Sequence, residues 1–265
     1  MSKEIAISFS AEMVTSIYNE WKTETRRLLN PQPWYGSQIP GGPHFIFPPG
    51  SGQRFNARPY SKRIDQPDLH FYIMQEGFQE RFALNCNIKP GDVLWVRETH
   101  YKMGYWIKNG KTPTGLDKWR FKPDIKSPVL YENTKPTLFQ KSRHKEYPEK
   151  VMWYKRNARF MPRVDARLFL EVAKTRIERI RQITEDDALA EGIMRRTEER
   201  LRSKPVQYGL YFREPGDAES LYTSDPIDSF ESLWKSIHGV ESWDKNEWVR
   251  VIKFKKLNNY HGTKQ

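Results

Sequence analysis

The sequence predicts an α+β fold in which a small β-barrel carries flanking helices and large irregular insertions. Three observations support it: alternating apolar segments typical of strands near both ends of the 265-residue chain, few segments with helical periodicity, and long stretches rich in proline and glycine. The first and last strands are expected to share one sheet system. We therefore predict one domain over residues 1–257 and a frayed tail at 258–265.

The N-terminal elements are a strand and a helix. Residues Ile5 to Phe9 alternate like a strand, and Ser10 is a residue type that caps helices. The apolar residues that follow fall on one helical face: Met13, Val14, Ile17, Tyr18 and Trp21. The polar segment 21–27, Trp-Lys-Thr-Glu-Thr-Arg-Arg, therefore begins where a buried helix ends.

The first predicted insertion covers about residues 30–88. Residues 30–67 are too dense in proline and glycine for regular structure over most of their length. Residues 71–84 fit a short helix or a strand pair equally well. Lys89-Pro-Gly-Asp92 then predicts a tight turn, and Val93 to Glu98 a strand.

Two further insertions, at about 99–160 and 195–228, separate the remaining elements. Prolines break any long helix in the first of them. Between the two, residues 166–180 predict a long strand that bends, and Thr184 caps a helix that ends at Gly192. After them, residues 229–237 predict an amphipathic helix, and Trp248 to Phe254 the closing strand.

The net charge of +12 is unevenly distributed. Residues 141–181 contain thirteen Lys or Arg against five Asp or Glu, with aromatic residues between them. Basic side chains neutralise phosphates and aromatic faces stack on bases, so this stretch predicts a nucleic-acid or nucleotide surface. The alternative is a solvated basic face that only keeps the protein soluble.

Composition excludes several classes of protein. The single cysteine, Cys86, excludes an internal disulfide and fits a reducing compartment, and the six scattered histidines form no zinc-binding pattern. The chain has neither a long apolar run nor a secretory leader, so we expect a cytoplasmic protein without a membrane partner. We predict no metal and no cofactor, and the sequence does not indicate an oligomeric state.

Four segments occur in a characteristic order. They are Lys22-Thr-Glu-Thr25-x-Arg27 after a strand and helix, the turn and strand Lys89-Pro-Gly-Asp92-Val-Leu-x-Val96, the helix Thr184-x-x-Asp-Ala-x-x-Glu191-Gly-Ile193, and the strand Trp248-Val-x-Val-Ile-x-Phe254. Together they resemble the ASCH domain of the PUA-like superfamily, and the chain is similar to the long ASCH proteins of bacteriophages and prophages. The resemblance covers about 100 of the 265 residues and implies a bacterial or phage-infected host cell.

Small bacterial members of this family include an N4-acetylcytidine amidohydrolase that uses a Lys, a Thr and a Glu. By this resemblance, the catalytic residues correspond to Lys22, Thr25 and Glu191, and Arg27 would have a supporting role. It implies a metal-independent hydrolase that removes an acyl group from a modified base of nucleic acid, with RNA favoured over DNA, or of a free nucleoside. Other ASCH proteins are associated with RNA cleavage or with binding alone, so a ribonuclease and a non-catalytic binding module are the alternatives.

The residues themselves support such chemistry. A threonine hydroxyl needs a neighbouring base that is neutral at working pH, and burial or nearby cations such as Arg26 and Arg27 would make Lys22 one. Glu191 would donate a proton to the leaving amine or orient the lysine, and arginines would hold a phosphate or an oxyanion. The alternative is that Lys22 and the arginines only cap a helix, Thr25 is an ordinary strand residue and Glu191 faces solvent.

Further substrate-binding candidates follow from position. Arg97 and Glu98 end a predicted strand and would line a pocket, and Arg159 and Arg163 lie in a basic, turn-prone entry to the long strand, where they would contact phosphates. Glu24 is expected to point away from Thr25 and Arg27, because side chains alternate along a strand. The tryptophans Trp95, Trp234, Trp243 and Trp248 are expected in the core.

Overall fold

The computed structural model describes residues 2–29, 57–60, 69–73, 84–86, 88–193, 195, 207–211, 221–258 and 260. Its elements, in chain order, are β1 Glu4–Ser8, α1 Ala11–Tyr18, β2 Glu24–Leu28, β3 Ala57–Tyr60, β4 Leu69–Ile73, β5 Leu84–Cys86, β6 Val93–Arg97, β7 His100–Lys111, β8 Asp117–Pro123, β9 Val129–Tyr131, β10 Met152–Arg156, β11 Phe169–Arg179, α2 Glu185–Ala190, β12 Tyr208–Gly209, β13 Tyr222–Thr223, α3 Pro226–His238 and β14 Trp248–Lys256. Strands predominate over helices, and the α+β prediction is confirmed.

A five-stranded sheet in the order β1-β6-β11-β14-β2 forms the centre of the fold. β1 and β6 are parallel, and the other three pairs are antiparallel. The first and last strands of the chain thus belong to one sheet, as the sequence predicts. The described strands do not close into a barrel, because β1 and β2 lie at opposite ends of this order.

The connection from β1 to β2 follows the sequence signals. The Ser10 side chain accepts a hydrogen bond from the backbone N–H of Met13 and caps α1, and Val14 and Ile17 are buried. Tyr18 and Trp21, expected on the same buried face, are 40% and 63% exposed. The helix ends at Tyr18, so Trp21 no longer follows its helical face.

The core lies on both faces of the central sheet. One buried cluster joins α1 to β6 and β11, and a second packs α2 and α3 against β14. Strand β14 contributes side chains to both clusters. Ile252 and Phe254 lie in the first, and Val249 and Val251 lie in the second. The period-two alternation of its side chains therefore directs apolar residues to two opposite cores.

Residues 99–160 are not the irregular insertion that the prolines predict. β7 pairs with β8, β9 and β10 in a four-stranded antiparallel sheet. Pro113 and Pro128 lie in the connections and Pro123 ends β8, so none interrupts a strand. Proline excludes a long helix here, but at strand ends it leaves the hydrogen bonds between strands intact.

The other expected elements have mixed outcomes. The long strand is β11, which has an irregularity between Val172 and Lys174, and Thr184 caps α2 as predicted. The closing helix is α3, although Ile237, the last residue of the predicted amphipathic helix, is 52% exposed. Of residues 71–84, the described ends belong to β4 and β5, which pair. Most of the segments 30–88 and 195–228, and of the tail after 257, lies outside the described residues.

Candidate functional site

The polar segment 21–27 meets the end of α2. Thr23 donates its backbone N–H to the carbonyl of Ala190 at 2.8 Å, and Lys22 and Glu191 form an isolated β-bridge. Gly192 follows with a φ of +76°, and a Cβ at this position would lie 2.7 Å from the Cβ of Lys22. The close approach of the two backbones therefore requires glycine at 192.

Lys22 and Glu191 form a buried pair. Lys22 Nζ donates to Glu191 Oε2 at 2.6 Å and to the backbone carbonyl of Glu191 at 2.7 Å. The Lys22 side chain is 0% exposed and that of Glu191 is 5% exposed. Burial lowers the pKa of Lys22, because the charged form loses its hydration; the Glu191 carboxylate opposes this shift, and nearby Arg27 and Arg26 add to it.

Arg26 lies beside this pair with a fully buried side chain. Its guanidinium nitrogens lie 2.7 Å from Glu178, 2.9 Å from Glu24, 3.1 Å from Asp187 and 3.3 Å from Glu191. Burial by itself would lower the pKa of Arg26, but the surrounding carboxylates outweigh it, and the pKa is raised. One guanidinium fork thus connects four carboxylates.

A second guanidinium, that of Arg176 on β11, completes the arrangement. It forms two hydrogen bonds with the Glu24 carboxylate, at 2.8 and 2.9 Å, one with Glu178 at 2.8 Å and one with Asp187 at 2.9 Å. We call these seven side chains the ion-pair network: Lys22, Glu24, Arg26, Arg176, Glu178, Asp187 and Glu191. Three cations face four carboxylates, so the negative charges are nearly balanced.

Thr25 and Arg27 point away from Glu24 and Arg26. Arg26 lies 5.7 Å from the ring centroid of Phe230 in the second core cluster, whereas Arg27 lies 4.9 Å from that of Phe9 in the first. This is the alternation expected along β2. The expected direction of Glu24 is therefore confirmed.

Thr25 is 3% exposed and pairs across strands with Ile252, which in turn pairs with Thr175. Among the described residues, no hydrogen bond joins the Thr25 hydroxyl to Lys22 or Glu191. Of the three predicted catalytic residues, Lys22 and Glu191 are therefore in direct contact. Thr25, three positions along the chain from Lys22, is not hydrogen-bonded to either of them within the described structure.

Arg27 has fewer partners than Arg26. Its Nη2 donates to the backbone carbonyl of Ser8 at 2.7 Å, and its buried Nε has no hydrogen-bond partner within the described structure. Burial lowers the pKa of Arg27, with Glu191 opposing the shift. The Ser8 contact also links β2 to β1, the two outer strands of the central sheet.

The other predicted substrate-binding residues are dispersed. The Glu98 carboxylate is buried and accepts two hydrogen bonds from Arg167, at 2.8 and 2.9 Å. Arg97 lies over Trp95, with a ring-centroid distance of 5.8 Å. Arg163 forms two hydrogen bonds with the Glu4 carboxylate.

Arg159 is different, because it is exposed and lies over the ring of Phe160, 4.7 Å from its centroid. The two arginines predicted to contact phosphates therefore differ in their partners: Arg163 already has a carboxylate partner, and Arg159 stacks on a ring.

Of the expected core tryptophans, Trp234, Trp243 and Trp248 are buried, and Trp95 is partly buried.

Sequence reasoning missed Arg176, Glu178 and Arg167, and it gave Asp187 no role beyond its place in the helix motif that begins at Thr184. A signal for the first two was present: opposite charges two residues apart on a strand share a face, and Glu24 with Arg26 repeats the pattern. Such spacing identifies a polar face. It does not identify the partners, which come from three separate elements.

Comparisons with known proteins give no relative: no protein-family model matches the chain, and neither a curated protein nor a solved structure is significantly similar to it. Within the described ranges, no group of three or more His, Cys, Asp or Glu residues is arranged to hold a metal ion. No helix in the described part of the chain is both long and apolar enough to cross a membrane.

Proposed function

We propose that this protein is a metal-independent amidohydrolase that removes an acyl group from a modified base, such as N4-acetylcytidine, in nucleic acid or as a free nucleoside. The observation that supports it is the buried contact of 2.6 Å between Lys22 Nζ and Glu191 Oε2. These two residues are 169 positions apart in the chain, and both are positions that the resemblance to ASCH proteins predicts as catalytic.

The environment of Lys22 suits a general base. A base must be unprotonated to act, and burial lowers the pKa of Lys22 towards that state. Glu191 is within reach to exchange a proton with Nζ, while its other oxygen, Oε1, is held 3.3 Å from Arg26 Nη1. The ion-pair network thereby fixes the orientation of the carboxylate.

The proposed reaction has two steps. Lys22 Nζ takes the proton of the Thr25 hydroxyl as Oγ1 attacks the acyl carbon and passes a proton to Glu191, which then protonates the amine nitrogen of the base as the amide bond breaks. Water then attacks the acyl-threonine ester, giving the free acid and restoring the Thr25 hydroxyl. Arg27, whose Nε has no hydrogen-bond partner among the described residues, would bind the carbonyl oxygen or a phosphate.

The proposal extends to the fold and its setting. We infer a PUA-like barrel whose opening lies between β1 and β2, since the Arg27 side chain crosses from one to the other. The reaction would take place in the cytoplasm of a bacterial or phage-infected cell.

Acetate release from N4-acetylcytidine tests the proposal. We expect activity in the wild-type protein and at least a hundredfold lower kcat in Lys22→Ala, Glu191→Gln and Thr25→Val. Thr175→Val is the matched control, because Thr175 and Thr25 flank Ile252 on the same face of the sheet. Melting curves establish that each variant folds. Full activity in Lys22→Ala would exclude the lysine as the base.

A second candidate is a binding module without catalysis. The burial of the three candidate catalytic residues favours it: each is at most 5% exposed, namely Lys22, Thr25 and Glu191. In that case the protein would bind N4-acetylcytidine or RNA without releasing acetate. Incubation of the same variants with labelled RNA distinguishes a third outcome, cleavage, from binding alone.

A further inference from the structure

The four-stranded sheet presents a surface that the proposed hydrolase site does not use. The pairing of β7 with β8 places Lys108 opposite Trp119 and Trp106 opposite Phe121. Cross-strand partners point to the same side of a sheet, so these side chains share one face. Trp106 and Phe121 pack edge to face with the buried Tyr154 of β10, which gives this face a rigid aromatic base.

Three arginines lie over these and neighbouring rings. The guanidinium carbon of Arg143 is 4.2 Å from the ring centroid of Trp119, and that of Arg156 is 4.3 Å from Phe121. Arg156 also lies 5.1 Å from Phe160, over which Arg159 stacks at 4.7 Å. We call these six residues the cation–aromatic strip: Trp119, Phe121, Phe160, Arg143, Arg156 and Arg159.

Among the described residues, the arginines of the strip have no counter-charges. Within the described residues, none of the three forms an ion pair with a carboxylate. Consistent with this, burial alone lowers the pKa of Arg156, and no nearby carboxylate raises it again. Stacking on a ring orients a guanidinium while its N–H groups stay available for other acceptors.

The surroundings of the strip are basic. The segment 100–123 contains six Lys or Arg and one Asp, and that residue, Asp117, is 3.0 Å from Lys108. Phe160 is 53% exposed and Tyr147, on the connection before β10, is 60% exposed. Aromatic rings that remain open to solvent beside unpaired guanidiniums favour a ligand with both negative charge and flat, stackable groups.

We propose that the cation–aromatic strip binds single-stranded nucleic acid. Phosphates would contact the N–H edges of Arg143, Arg156 and Arg159, and unpaired bases would stack on the open ring of Phe160 and on guanidinium planes. Bases inside a duplex are already stacked and cannot use these rings. The inference rests on the proposed function for its ligand class, nucleic acid, and not for the hydrolysis step.

Fluorescence anisotropy tests this with the full-length protein and three labelled 12-mer probes: oligo-U, oligo-dT and a blunt DNA duplex. We expect both single strands to bind at least tenfold more tightly than the duplex, and their relative affinities show whether RNA or DNA is preferred. Equal or tighter binding of the duplex would overturn the proposal.

The decisive variant replaces Arg143, Arg156 and Arg159 with Gln. Three lost phosphate contacts should lower the slope of log K against log salt by about 2 and weaken binding at least tenfold. Phe160→Ala should weaken binding by roughly five- to a hundredfold through lost stacking. The matched control replaces the exposed Lys245, Lys253 and Lys255 with Gln, which lowers the net charge by the same three units away from the strip.

An equal loss in the control would show that general charge, not the strip, carries the binding and would overturn the proposal. Melting curves test folding, and if the triple variant unfolds, Arg143→Gln with Arg159→Gln replaces it. The probes carry no acyl group and the readout is binding, so an inactive hydrolase leaves this result unchanged. Conversely, acetate release from the free nucleoside is measured without any oligonucleotide.

Discussion

Arginines in two regions of this protein occupy opposite environments. In the ion-pair network, the fully buried Arg26 lies within 3.3 Å of four carboxylates. In the cation–aromatic strip, Arg156 lies over two phenylalanine rings and has no carboxylate partner in the described structure. A buried guanidinium needs counter-charges to offset its desolvation, whereas a stacked, partly exposed one does not.

The difference shows where an anionic ligand would bind. The carboxylates of the network already engage the guanidiniums of Arg26 and Arg176, so a phosphate would have to displace them. The guanidiniums of the strip have no such competitor among the described residues. We therefore propose that Arg26 orients the carboxylate of the Lys22–Glu191 pair and that the strip binds the oligonucleotide, and the following predictions test that division.

The largest expected effect is from Arg26→Met. It leaves four carboxylates with two cations in a buried site, which should lower the free energy of unfolding by about 3–5 kcal/mol. Arg143→Met, the matched change in the strip, should alter it by less than about 1 kcal/mol. Urea denaturation measures both, and similar losses in the two variants would remove the distinction between the regions.

The second prediction compares two glycines. In Gly192→Ala the new Cβ would lie 2.7 Å from Lys22 Cβ at a φ of +76°, and in Gly104→Ala it would clash with the backbone oxygen of Lys122 and with Phe121 Cζ. Each should destabilise the protein by about 1–3 kcal/mol. Gly192→Ala should reduce acetate release, whereas Gly104→Ala should weaken oligonucleotide binding. The reverse pattern would mean that the two functions are assigned to the wrong regions.

The third prediction is a pH dependence that differs between the network and the strip. Burial would raise the pKa of Asp187, but Arg176 and Arg26 outweigh it and hold the pKa below its usual 3.8. A folded-state pKa below the unfolded one stabilises the protein above about pH 4, and this stabilisation is lost as the pH falls through the folded-state value.

Asp187→Asn should therefore flatten the loss of unfolding free energy between about pH 4 and pH 2. Arg143→Gln should leave the slope as in the wild-type protein, because no described carboxylate faces Arg143. Urea denaturation at a series of pH values compares them, and an unchanged slope in Asp187→Asn would contradict the role of its ion pairs.

The smallest effect is expected at Thr175. Its buried Oγ1 has no hydrogen-bond partner within the described structure, although it lies on the same sheet as the network. Thr175→Val replaces the hydroxyl with a methyl group and should change the unfolding free energy by less than about 1 kcal/mol, towards higher stability. A loss above about 2 kcal/mol would show that the hydroxyl has a partner and that the polar region is wider than the network.

Local signals predicted much of the fold. Ser10 and Thr184 cap helices as expected, and β6, β11 and β14 lie where alternation placed them, because capping and strand periodicity depend only on neighbours in the chain. The error over residues 99–160 has a physical reason as well. Proline content predicts irregular structure there, but what matters is whether a proline interrupts a strand or ends it.

The candidate site was predictable only in part. The sequence, with its resemblance to ASCH proteins, pointed to Lys22 and Glu191, and the structure brings them together. The sequence did not indicate that Arg176 and Arg26 would both pair with Glu24. Nor did it indicate that Arg167 would form an ion pair with Glu98. Arg176 and Glu24 are 152 positions apart and Arg167 and Glu98 are 69 apart, and no local spacing encodes such pairs.

By itself the sequence determined the capped helices, the two-residue alternation of β2 and the excess of positive charge, since each depends on side-chain chemistry and short-range geometry. Only the tertiary structure decided which of those charges are neutralised. Burial in the central sheet surrounds Arg26 with carboxylates from β2, β11 and α2, while the four-stranded sheet leaves Arg143 and Arg156 stacked on rings. The desolvation of a charge and the partners that offset it depend on the whole fold.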